Sequence, residues 1–184
     1  MSSQEDLRTI ALGEFATAGY AGTSLQRIAE LAGRSKSSVL YHYASKEALL
    51  EAAIGPAIDR MAAILDPIEL AGLSENARQE FLEEFVDFLL QHRLEVHMFI
   101  NQGPSLVDVP VIDRANALVL RLAEFFGEHT ASLEERMRFG IALGGAAYML
   151  CTAQSLGLPA EPVEETRAAL LTIMGELLSP VHIR

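Results

Sequence analysis

Thr23 to Lys46, TSLQRIAELAGRSKSSVLYHYASK, decides the fold of this chain. Its first part predicts a short helix. Thr23 stands as N-cap with Gln26 three residues on, the spacing of a capping box. Leu25, Ile28, Ala29 and Ala32 then recur at helical spacing and make one apolar face. Gly33 ends the helix by supplying the left-handed residue that a sharp corner needs. Ser35 restarts the chain as a second N-cap. On the helix predicted from Lys36 to Tyr43, Val39 and Tyr43 are four apart and share the buried face. Ser35, Ser37, Ser38, Tyr41 and His42 are left on the outer face, with Lys36 at its edge.

That outer face is short and rich in hydroxyls. It carries a cation, a phenol and an imidazole, and it lacks a carboxylate. A solvated helix face normally mixes Glu with Lys, so donors without negative charge suit a polyanion. Two helices joined by a tight, glycine-containing turn are the arrangement that places a second helix in the major groove of DNA. Lys46 follows a third cap, Ser45, at the start of the next helix. A cation there opposes the helix dipole, at a cost of a few tenths to about 1 kcal/mol. A phosphate against that helix end turns the cost into a gain.

The run AGRSKSSVLYHYASKEALL (Ala32 to Leu50) resembles the signature of the TetR family of bacterial transcriptional regulators, as does AGYAGTSLQRIA (Ala18 to Ala29). The likeness covers the first quarter of the chain; the remainder shares length and helical character. It implies a helix-turn-helix that reads operator DNA, a dimer, and a C-terminal domain that binds a small inducer. Matched to the motif, Thr23, Lys36, Tyr41, His42 and Lys46 are the implied DNA contacts, and Ser35, Ser37 and Ser38 join them on the same face. Three positions depart from the pattern. Arg34 stands where the family has an apolar residue and is expected to compensate as a phosphate or base contact. Ser37 replaces a common Gly, and Leu40 a common Tyr.

The fold class expected is all-α, with about nine helices: a three-helix helix-turn-helix module over 1–48, then a helical ligand-binding and dimerisation domain over 49–184. At 184 residues the chain can bury a sizeable core with a small module leaning on it. Half the residues are hydrophobic, only 7% aromatic, and Ala and Leu dominate, which favours helix. The one cysteine, Cys151, excludes an internal disulfide framework and fits a reducing, cytoplasmic compartment. Its apolar neighbours Tyr148, Met149 and Leu150 mark it as a small core residue rather than a nucleophile. The net charge is −11, yet residues 1–50 hold five cations against five carboxylates, so the whole surplus lies beyond residue 50. The N-terminal module can then approach DNA while the rest repels it.

Taken in order, the first helix is expected over residues 5–18, with Gly19 to Gly22 as linker. From Lys46 a helix runs to about Leu65, and Pro56 should kink or break it by removing the bond to Ala52. Asp66 to Ser74 reads as a loop. Helices follow over Glu75–His92, Leu94–Gln102 and Val111–Glu128. A further helix starts at Thr130 or Ser132 and ends at Leu158-Pro159, and the last runs from Val163 to Leu178. Phe139 to Leu158 has the length of a membrane span, but its glycines and polar residues and unbiased flanks read as a buried helix, and the N-terminus has no signal-like region.

Small residues from Gly140 to Ala147 permit close helix approach, and by the resemblance a homodimer forms through about 133–157 and 163–178. An inducer pocket is expected among the middle helices. Its apolar wall would come from Met61, Phe85, Phe88, Leu89, Met98, Phe99, Phe125 and Tyr148, its polar groups from His97, Asn101, Gln102 and Thr152. The effector this implies is small and apolar or amphipathic. His92 and His97 are five apart and do not share a face as metal ligands would. Nothing in the sequence forms a catalytic constellation or a nucleotide fingerprint, so neither enzyme activity nor a cofactor is expected. Two rival readings are a helical protein-interaction module and a ligand-binding enzyme with a vestigial DNA-binding module.

Overall fold

Short hydroxyl side chains start most of the helices, and the chain turns where glycine allows it. The computed structural model describes residues 3–72, 74–103, 106, 108–152 and 161–179. Among these, nine helices follow one another: α1 (Ser3–Ala18), α2 (Leu25–Leu31), α3 (Lys36–His42), α4 (Lys46–Ala71), α5 (Glu75–Gln91), α6 (Arg93–Gln102), α7 (Pro110–His129), α8 (Leu133–Thr152) and α9 (Val163–Leu178). The expected end of the eighth helix, Leu158-Pro159, lies outside the described residues.

Helices of seven residues are too short to stand alone. α2 and α3 exist because both ends are capped and one face is buried. The Ser35 Oγ accepts from the Ser38 N–H at 3.2 Å. At the end of α2, Gly33 takes φ +63°. The Arg34 N–H then donates to the Ala29 carbonyl at 2.8 Å and the Gly33 N–H to Glu30 at 3.0 Å. Those two bonds are a Schellman cap and fix the corner. Ile28, Ala29 and Val39 are fully buried beneath it.

Two details depart from expectation here. The cap of α2 is Ser24, whose Oγ accepts from the Arg27 N–H at 3.1 Å. Thr23 is 2% exposed and turns its hydroxyl back to donate to the Gly19 carbonyl at 2.8 Å, closing the α1–α2 turn. Gln26 bonds Glu30 instead of completing a capping box. The predicted box therefore fails by one residue: closing the turn claims the first hydroxyl.

α4 departs further. It runs unbroken through Pro56 and Pro67 to Ala71, so Pro56 does not break it and Asp66 to Ser74 is not a loop throughout. Both prolines lie on the exposed side, while Ile54, Ala57, Ile64, Leu65 and Ile68 are buried. An internal proline costs about 3 kcal/mol. Each large aliphatic side chain buried returns about 1.5–3 kcal/mol, so the stripe outweighs the two interruptions.

Two hydrophobic clusters result. One holds Leu7, Phe15, Ile28, Val39, Leu49 and Leu50 from α1 to α4, closed by Met98 of α6 and by Val111 and Ile112 of α7. The other joins the second half of α4 to α5, α7, α8 and α9 around Leu65, Phe85, Leu89, Phe126, Phe139 and Met174. The first core therefore does not stop at residue 48; it takes in the end of α6 and the start of α7.

Candidate nucleic-acid interface and internal cavity

α3 presents its polar side outward because Val39 and Tyr43 point in. Tyr43 donates its hydroxyl to the Gln4 carbonyl at 3.2 Å, pinning α3 to α1. Tyr41 is 87% exposed. Ser35, Lys36 and Ser37 are exposed, and Arg34, Ser38 and His42 half-buried. The hydroxyls of Ser35 and Ser37 lie 2.9 Å apart, and His42 Nδ1 lies 3.5 Å from Gln4 Nε2. Leu40 is exposed to 41% between these polar groups. The structure brings Arg34, Ser35, Lys36, Ser37, Ser38, Tyr41 and His42 together on one surface free of acidic side chains from α3.

Thr23 does not join them, being buried with its hydroxyl committed. Lys46 is also differently employed. Its Nζ donates to the carbonyls of Tyr20 at 2.9 Å and Thr23 at 3.0 Å, and sits 4.2 Å from the centre of the Tyr20 ring. The turn's carbonyls compensate a cation at the start of α4 without need of a phosphate. Beside it, the Tyr20 hydroxyl donates to Glu47 at 3.1 Å. Burial, then the Glu47 charge, pushes the Tyr20 phenol up to about 12. Glu47 is held below the usual carboxylate range by its backbone N–H, by the Ser45 hydroxyl and by Tyr20.

A third element grips the same turn. The side chain of Gln102, the last residue of α6, accepts from the Tyr20 N–H at 2.7 Å and donates to the Phe15 carbonyl. Expected in a pocket, Gln102 instead ties α6 to the helix-turn-helix across more than eighty residues of sequence. No local signal announces such a bond, since an amide at a helix end looks like any solvated glutamine.

Between α4, α5, α6 and α7 lies a cavity of about 250 Å³. Each helix contributes a stripe at helical period. α4 gives Ile54, Ala57, Ile58 and Met61. α5 gives Phe85, Phe88 and Leu89. α6 gives Glu95, Val96, Phe99 and Ile100, and α7 gives Ala115, Leu118, Val119 and Leu122; Ala147 of α8 completes it. Met61, Phe85, Phe88, Leu89 and Phe99, expected in a pocket wall, stand here. The others do not. Met98 is fully buried in the core around α1. Phe125 meets Phe126 edge to face and His129 at a tilt. Tyr148 is 56% exposed on the outside of α8. Thr152 donates to the Tyr148 carbonyl at 2.7 Å. His97 Nδ1 lies 2.9 Å from the Cys151 carbonyl, on a groove across α6 from the cavity. Asn101 is exposed and donates to the His97 carbonyl at 2.9 Å. The sequence reading missed Glu95, which borders the wall while its carboxylate pairs with His92 at 3.1 Å; its spacing of four from Phe99 was the available signal.

Cys151 is buried, and its thiol is pushed up to about 11, by burial first, with Arg93 opposing. It is inert near neutral pH.

α8 and α9 leave a continuous apolar surface. Leu133, Met137, Ile141, Tyr148, Met149 and Ile173 are all more than half exposed. Gly140, Gly144, Gly145, Ala168 and Ala169 lie exposed with them. So many large apolar groups on adjacent helices mark an association surface.

Residues 9–53 match the family model described as bacterial regulatory proteins, tetR family. The chain is 33% identical over 129 residues to the HTH-type transcriptional regulator RutR of Escherichia coli (strain K12), a match over 64% of this chain and 60% of that one. It thus spans about 60% of the length of that curated relative. Among solved structures, SCO3833, a TetR-family member from Streptomyces coelicolor A3, superposes with TM-score 0.75 at 21% identity, over 99% of this chain and 94% of the other. The ketosteroid transcriptional regulator KstR2 of Mycobacterium tuberculosis superposes with TM-score 0.69 at 16% identity, over 98% and 95%. At such identities these two likenesses concern the fold.

Proposed function

Because residues 9–53 match the tetR family model and the chain is 33% identical to RutR over 129 residues, we propose that it is a TetR-family, homodimeric, sequence-specific transcriptional repressor released from operator DNA by a small apolar or amphipathic effector. The observation that carries this reading is the surface of α3, where a cation, three hydroxyls, an imidazole and an 87%-exposed tyrosine lie together on a helix with no acidic side chain. In it, residues 1–48 are the DNA-binding module and 49–184 the ligand-binding and dimerisation domain. α3 enters the major groove, and Lys36, Tyr41 and His42 hold phosphates, with Arg34 beside them. The exposed apolar faces of α8 and α9, with residues up to about 157, pair two copies, and the protein works in the cytoplasm.

The cavity supports the effector part, and its α6 wall ends in Gln102, which holds the α1–α2 turn. An effector acts only through its differential affinity for two conformations. Here a shift of α6 reaches the helix-turn-helix core through Gln102, on the α1–α2 turn, and through Met98, packed among α1 to α4.

The test is selection of bound fragments from the source genome, followed by gel shift across a salt series. Selected fragments should be retained in a salt-sensitive way. Lys36→Ala should weaken binding to all of them and lower the salt slope by about 1. An unchanged slope removes Lys36 from the contacts. Retention of no fragment overturns the reading.

A further inference from the structure

The cavity between α4, α5, α6 and α7 is walled by hydrocarbon. Every described residue that lines it, Glu95 excepted, is Ala, Val, Leu, Ile, Met or Phe. Glu95 spends its carboxylate on His92, whose Nδ1 lies 3.1 Å from Oε1, so its methylene stem is what borders the space. The backbone groups of the lining stretches lie inside helices and bond along them. A ligand hydroxyl placed here gives up its water partners and meets no free donor or acceptor among the described residues of the wall. A charged group loses more. Water is in the same position, since it needs roughly two to four polar partners to occupy a cavity. Even on the side open to solvent the lining is apolar, with Val119 at 50% exposure.

We propose that this cavity takes an uncharged hydrocarbon with no hydrogen-bonding group, such as an alkylbenzene, and rejects the alcohol, ammonium and carboxylate of the same size. This rests on the cavity being the effector site, and it narrows the apolar or amphipathic effector of that reading to the apolar one. An apolar cavity of about 150 Å³ holds one benzene. At about 250 Å³ this one has room for a ring and a chain of roughly three carbons. Phe85, Phe88 and Phe99 offer ring faces and edges to an aromatic occupant.

Propylbenzene, 2-phenylethanol, 2-phenylethylamine and phenylacetate share a ring and a short chain and differ at the chain's end. Each is titrated calorimetrically into the full chain. Propylbenzene should bind one to one with release of heat at about 25 °C, as an apolar solute entering a preformed apolar space does. The alcohol should be weaker by about 10- to 100-fold, the effect of one hydroxyl left unpaired, and the two ions should give no measurable binding. Two variants tie that order to this wall. Ala115→Leu fills part of the space and should weaken propylbenzene by about tenfold or more. Val96→Thr keeps the side-chain shape and adds one hydroxyl, so the alcohol should come within about fivefold of the hydrocarbon. The probes' affinity for water is the same in every arm, so only the wall can change that gap. No saturable binding of propylbenzene, an alcohol or ion that binds as tightly, or a gap unchanged in Val96→Thr would each overturn the proposal. So would full propylbenzene affinity in an Ala115→Leu protein that still melts cooperatively. Fragment retention by the wild-type preparation keeps the two readings apart. DNA held with the wrong probe order sinks only the hydrocarbon assignment; no DNA held sinks the regulatory reading whatever the probes do.

Discussion

The α3 surface and the cavity behind it are built in opposite ways. The surface is made by local chemistry: Ser24, Gly33, Ser35 and Ser45 fix every corner of α2, α3 and the start of α4 within a few residues of themselves. The cavity is made by what four helices fail to fill. No residue of its wall is unusual where it stands, and the space exists only because stripes from α4, α5, α6 and α7 meet there. A site made of caps tolerates little change in single residues but depends little on the rest of the chain. A site made of a void can shift shape as its helices move, which is what an effector requires.

The largest test of this contrast is truncation in each core. Phe15 and Phe139 are both at most 2% exposed, and Phe→Ala at either should cost about 3–5 kcal/mol. Because Met98, Val111 and Ile112 lock the first cluster to α6 and α7, both variants should shift one cooperative thermal transition. A split transition in Phe15→Ala, with the α5–α9 bundle still folded, would mean that the two regions are energetically separate.

Gln102→Ala comes next. It strips the Tyr20 N–H and Phe15 carbonyl of their partner, a loss of about 1–3 kcal/mol. Its signature should be functional: any ligand that loosens wild-type from a retained fragment should lose most of that effect here. Full retention of ligand response would remove Gln102 as the link.

Ser35→Ala deletes the cap of α3 and should cost about 1 kcal/mol. Amide exchange in residues 36–42 should accelerate while α5 to α9 stay protected. Uniform acceleration would contradict the local construction of the reading surface.

The smallest effect concerns α5 and α9. Arg167 holds Asp87 by two bonds, at 2.6 and 3.0 Å. The hydrogen bonds from Arg167 keep the Asp87 carboxyl below its usual range. With the folded value depressed, its stabilisation is present above the ordinary aspartate pKa and is lost as pH falls through the lower folded value. Being partly exposed, the pair is worth at most about 1 kcal/mol. Thermal melts of wild-type and Arg167→Ala should differ slightly at neutral pH and converge in acid. A gap that persists undiminished at low pH would assign the effect to packing.

Much of the polar surface was legible because it is local. The glycine corner, the Ser35 cap and the outward set from Lys36 to His42 all lie within a dozen residues, where spacing and torsion preference decide. Thr23 was misjudged by one position because two hydroxyls, Thr23 and Ser24, compete, and the nearby Gly19 carbonyl decides between them. Lys46, expected to meet a phosphate, donates in this structure to the Tyr20 and Thr23 carbonyls, partners that its place in the sequence does not announce.

By itself the sequence determined the order of the helices among the described residues, the corner that sets α3 outward, and that the surplus negative charge lies beyond residue 50, because capping, torsion and charge are properties of neighbours. Tertiary structure alone decided that α4 runs through two prolines, that His97 and Thr152 stand outside the cavity, and that Gln102 grips the α1–α2 turn. Those outcomes depend on groups brought together by burial from tens of residues apart, and no local preference encodes which of them will meet.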